Sequence, residues 1–152
     1  MNKKNNTVRE IRLQYKSKLM GADETIITSA EKAYEVLKEH YDQDYLAIRE
    51  EIIVLYLNNA NKVLGVYKGF SGGITAAVAD IRLILAVALK GLSTGIIISH
   101  NHPSGQLKPS EADKQLTKQL KEAGELFGIK VLDHVIITPY DTYFSFADEG
   151  LM

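Results

Sequence analysis

No cysteine occurs among the 152 residues of the chain. That absence excludes disulfides, thiolate nucleophiles, iron–sulfur clusters and every cysteine-ligated zinc site. It suits a reducing compartment, and a cytoplasmic location is the expectation. A surplus of one charge is missing too: 18 Lys and Arg meet 19 Asp and Glu, for a formal net charge of −1. No global field therefore recruits nucleic acid or anionic lipid. Long apolar runs are also absent. Ile52–Leu57 and Ile81–Leu89, the latter broken by Arg82, fall well short of the roughly 20 residues a membrane helix needs, so no membrane partner is expected. The opening segment is basic, with Lys3, Lys4, Arg9, Arg12, Lys16 and Lys18 against Glu10. It lacks the apolar core and small-residue cleavage site of a signal peptide.

What remains is ordinary globular material, 45% hydrophobic and 24% charged. The length suits one domain, enough to bury roughly two-thirds of the unfolded surface. Residues 1–25 read as a basic arm in which Ile11, Leu13 and Tyr15 alternate like an edge strand, and 26–152 as the domain proper. Thr28-Ser29-Ala30-Glu31 reads as a capping box with Thr28 at its head, opening a helix that buries Ala33, Val36, Leu37 and Tyr41. Glu50-Glu51 leads into an apolar, β-branched strand to Leu57, with Lys62–Tyr67 as its hairpin partner. Gly69 and Gly72-Gly73 mark a loop. Asp80 caps a helix carrying Ile81, Ile84, Leu85, Ala88 and Leu89. Gly95–His100 is a short buried strand. A further helix starts near Ser110, with Ala112, Leu116, Leu120, Ala123 and Phe127 as its apolar stripe and Gly128 as its stop. Ile129–Thr138 and Tyr143–Phe146 close the chain as strands around a Pro139–Thr142 turn. The class is α/β, with α+β as the alternative, in a single domain with a mixed central sheet flanked by helices.

One constellation carries chemistry: His100-Asn101-His102, seven residues, Ser110, two residues, Asp113. Histidines two apart at a strand end point to the same side, so both imidazoles can approach one ion. Pro103, Gly105 and Pro109 keep the intervening loop irregular and fold the chain back. Asp113 then falls in the first turn of the next helix. Two imidazoles and a carboxylate make three ligands and leave a fourth tetrahedral position for water, the arrangement of a catalytic zinc site. Ser110 and Asp113 also make a helix capping-box pattern, and that role does not conflict with a metal role.

The pattern His-x-His-x7-Ser-x2-Asp resembles the signature of the JAMM metalloprotease domain, also called JAB or MPN. The string Ile98-Ser99-His100-Asn101-His102-Pro103-Ser104-Gly105, with Pro109-Ser110 and Asp133-His134-Val135-Ile136, is similar to its RadC-like branch. The likeness runs from about Glu50 to Asp148. It implies a JAB/MPN-like, cytidine-deaminase-like layout and one Zn²⁺ per chain on His100, His102 and Asp113. It also implies an assisting hydroxyl at Ser110 and an upstream glutamate acting on the bound water. Counting back from Leu57-Asn58 places that glutamate at Glu50, with Glu51 the alternate. His134 stands as a fourth ligand, as a group supporting a ligand from behind, or as a purely structural histidine.

The resemblance implies a metallopeptidase that cleaves peptide or isopeptide bonds, with a peptide or protein as partner. Longer relatives carry a helix–hairpin–helix region; the first 45 residues here hold no such glycine-hairpin pattern. The alternative class is a nucleic-acid-associated module with a structural metal, for which the basic arm is the only local support. A zinc nucleoside deaminase is excluded by the missing cysteines. Substrate identity and oligomeric state are not written in the sequence.

Overall fold

The apolar run behind the paired carboxylates forms β1 (Glu51–Leu57), whose residues are buried from Ile52 onward. The computed structural model describes residues 24–72 and 78–152. After a turn in which Asn61 takes a φ of 57°, the chain returns antiparallel as β2 (Val63–Ser71). Three more strands complete the sheet: β3 (Gly95–Asn101), β4 (Lys130–Ile137) and β5 (Tyr143–Ser145). Their order is β2-β1-β3-β4-β5. β3 runs antiparallel to β1 but parallel to β4, and β5 is antiparallel to β4. The sheet is therefore mixed.

Both faces of the central strands are apolar because helices cover both. On one face Ile53, Leu55, Leu57, Ile97, Val135 and Ile137 pack with Ala33 and Leu37 of α1 (Ala30–Lys38). On the other, Ile52, Val54, Tyr56, Ile96 and Ile98 pack under Ile84, Leu85 and Ala88 of α2 (Ile81–Lys90) and Leu120 of α3 (Glu111–Glu125). The period-2 alternation of β1 and β3 sorts their residues between these two cores. His100 belongs to the α3 side and Asn101 to the α1 side. The parallel β3–β4 pair requires a crossover, and α3 supplies it. Among the described residues no helix is long and apolar enough to cross a membrane.

Asp80 caps α2 as expected, its side chain accepting from the Arg82 N–H. Other expectations need correcting. The cap of α1 is Ser29, in extended conformation with its hydroxyl accepting from the Lys32 N–H, so the cap lies one residue after the expected Thr28 and is a single bond in place of a box. Leu89 is exposed. The buried line of α3 is Thr117, Leu120 and Gly124, with Leu116 and Ala123 half-buried, whereas Ala112 and Phe127 face solvent. The helix has turned toward a polar and a small residue for two reasons. Thr117 makes a buried hydrogen bond to the sheet, and a Cβ at Gly124 would lie 2.5 Å from the Ile129 carbonyl oxygen. The strand expected around Ile11–Tyr15, residues 1–23 of the basic arm and Gly73 lie outside the described residues.

Candidate metal centre

β3 ends in His100-Asn101, and the backbone N–H of His102 still donates to the Ile137 carbonyl, prolonging the parallel ladder by one bond. The loop then closes on itself through the Gly105 N–H to the His102 carbonyl, and Gly105 takes the left-handed φ of 83° that this turn requires. α3 follows at once. Its first turn is a full capping box: the Ser110 hydroxyl accepts from the Asp113 N–H at 3.1 Å, and Asp113 Oδ2 accepts from the Ser110 N–H at 2.7 Å. This locks the Asp113 carboxylate with its other oxygen, Oδ1, turned toward His100.

The three side chains named from spacing meet. His100 Nε2 lies 3.2 Å from Asp113 Oδ1, His102 Nε2 lies 3.6 Å from Asp113 Oδ2, and the two Nε2 atoms are 2.9 Å apart. One ligand atom from each residue falls within 4.8 Å of the others. His100 is buried, while His102 and Asp113 are half-buried and reach solvent. His102 Nδ1 is 2.6 Å from the Gln106 carbonyl oxygen. A carbonyl only accepts, so Nδ1 carries a proton, and whenever the ring is neutral its Nε2 lone pair is bare and aimed into the cluster. Such a cluster is satisfied by a proton on one imidazole or by a cation that all three side chains approach. A site of two imidazoles and one carboxylate fits Zn²⁺ by donor type.

The electrostatics say the same. Burial pushes the Asp113 carboxyl up, yet the facing imidazoles, once protonated, outweigh it and hold the group well below the usual carboxylate range. Any cation held there would exert the same pull. At His102 burial opposes the charge, but Asp113, the Gln106 carbonyl and the negative Glu50 together raise its pKa. His134 is not part of the ligand cluster. It sits behind His100, its Nε2 2.7 Å from His100 Nδ1, with its ring stacked on Phe146. Burial foremost, and then the His100 charge, push its pKa well down, so it stays neutral.

The two adjacent glutamates separate cleanly. Ile52 pairs with His100 across the antiparallel β1–β3 ladder. Glu50, two residues earlier, stands on the same face beside the histidines, where its charge is felt at His102. Glu51 lies on the opposite face, its carboxylate 2.9 Å from the Arg49 guanidinium. Asn101 holds this junction. Its Nδ2 donates to the carbonyls of Leu46 and Arg49, and its Oδ1 accepts from the Glu51 N–H. Asn101 carries no expected role, although its place inside the His-x-His pair is plain in the sequence. Thr117 was missed as well, and nothing local marks it.

A mixed sheet with paired histidines at the exit of a central strand, and an aspartate in the first turn of the helix that follows, defines a JAB-type domain. The profile of the RadC-like JAB domain matches residues 27–151, and the chain belongs to that family. A protein of Flavobacterium johnsoniae described as a UPF0758 protein is 45% identical over 125 residues, which cover 82% of this chain and 53% of that one. UPF0758 proteins of Porphyromonas gingivalis (45% over 104 residues, 68% of this chain and 46% of the relative) and Streptococcus gordonii (42% over 101, 66% and 44%) are also similar. The chain spans about half the length of these curated relatives.

Proposed function

We propose that this domain is a zinc-dependent hydrolase of peptide or isopeptide bonds. The observation that carries the reading is the meeting of His100, His102 and Asp113, open to solvent on one side and next to the charge of Glu50. Bound by these three residues, Zn²⁺ would supply Lewis acidity and bring the pKa of water down toward neutrality. Glu50 takes up the proton that the attacking water loses and passes it to the departing amine. Ser110 already uses its oxygen to accept from the Asp113 N–H, so its own O–H is left to donate to the oxyanion that develops on the substrate carbonyl. Asp113 orients the histidines while the capping box keeps it from rotating. The basic residues on which the nucleic-acid alternative rests lie outside the described residues.

Glu50→Gln tests the assignment. Zinc content should match the unsubstituted chain, while hydrolysis of a panel of quenched fluorescent peptides and Nε-lysyl isopeptides should fall by roughly 10²–10⁴-fold. Unchanged turnover on any substrate the parent cleaves would remove Glu50 from the proton transfer. Loss of zinc would instead make it a metal-supporting residue.

A further inference from the structure

Behind His100 lies a short chain of buried polar groups whose polarity follows from one bond of fixed direction, the Thr117 hydroxyl to the Asp113 carbonyl. Thr117, 2% exposed, has its hydroxyl 2.8 Å from the Asp113 carbonyl oxygen and 2.6 Å from His134 Nδ1. The carbonyl can only accept, so the single hydroxyl proton goes there. Toward His134 the Thr117 oxygen must then accept, which puts the His134 proton on Nδ1. His134 Nε2 is left with a lone pair and faces His100 Nδ1 at 2.7 Å. His100 therefore carries its proton on Nδ1, and its Nε2, the atom aimed at Asp113 and His102, is bare. The reverse polarity would have to give up the Thr117 hydroxyl bond to the Asp113 carbonyl.

We propose that Thr117 and His134 are positioning residues that fix His100 in the tautomer able to ligate a metal through Nε2. The inference rests on the metal-centre reading for its consequence but not for its geometry. The relay is a tautomer lock and involves no change of charge. It runs from the first turns of α3 through β4 to the end of β3, so the helix that presents Asp113 also sets the proton on His100. Groups that orient a ligating imidazole in this way typically change metal affinity 10–100-fold when removed.

The test compares Thr117→Val, which keeps the shape and removes the hydroxyl, with Thr117→Ser, which keeps the hydroxyl. Two readouts are taken: ¹⁵N NMR of the histidine rings in metal-free protein near pH 8.5, above the ordinary histidine range, and zinc affinity by chelator competition. The unsubstituted chain should show His100 and His134 both protonated at Nδ1. Thr117→Val should move protons to Nε2 and weaken zinc roughly 10–100-fold, and Thr117→Ser should restore both properties. A His134 proton on Nε2 in the parent would overturn the proposal. So would a Thr117→Val variant unchanged in tautomers and affinity. The tautomers are read without metal: a parent with these tautomers that takes up no zinc would refute the metal-centre reading and leave the proton assignment standing.

Discussion

Asn101 stands between the two histidines in sequence and faces away from them in space. Its three hydrogen bonds, 2.7–2.9 Å long, bracket Glu50 by holding the Arg49 carbonyl and the Glu51 N–H. Asn101→Ala would leave three backbone groups without their partner at a buried position, and an unsatisfied buried group costs about 1–3 kcal/mol. Relaxation and water entry recover part of that. Urea unfolding should show a loss of roughly 2–4 kcal/mol, with turnover falling as the strand entrance loosens. A loss within about 0.5 kcal/mol, the range of ordinary surface changes, would contradict this role. The contrast with the histidines explains what a sequence discloses at this scale. His100 and His102 are two apart and Asp113 follows within one loop and one helical turn, so spacing alone brings them together. The partners of Asn101 are 50–55 positions away and that of Thr117 is 17, and only the folded sheet joins them.

Among the elements, the first turn of α3 carries the heaviest demand, because one capping box both starts the helix and aims the metal-side carboxylate. α1 provides the comparison, since Ser29 caps it away from the cluster by its hydroxyl alone. Ser29→Ala and Ser110→Ala should each lower stability by about 1 kcal/mol. Hydrolysis and zinc affinity should survive the first change and suffer in the second. Equal effects of the two on activity would mean that Ser110 acts only as a cap. Helix starts and strand cores were legible wherever hydropathy and caps agreed, as for α2 after Asp80 or β1 after Glu51. The buried face of α3 was misjudged because Thr117 and Gly124 earn their burial by a hydrogen bond and a close backbone approach, which hydropathy does not register.

At the scale of the whole molecule, strand direction assembles the site. β1 is antiparallel to β3, so the entrance of one strand and the exit of the other share an end of the sheet. Glu50 thereby reaches the histidines from 50 residues upstream. β4 is parallel to β3 and pairs His134 with Ile98, so the His134 ring lies on the same face within reach of His100. Local pattern predicted a mixed sheet but could not order its strands; spacing marked the three candidate ligands, and the family resemblance added Glu50 and the Ser110 hydroxyl. The central claim is that three residues from β3, the following loop and α3 hold a metal. Metal content of the chain purified without added metal or a histidine tag, beside Asp113→Ala, addresses it most directly. About one zinc per chain, lost in the variant, is the predicted result. No metal in either protein, and none taken up on titration with zinc, would contradict it.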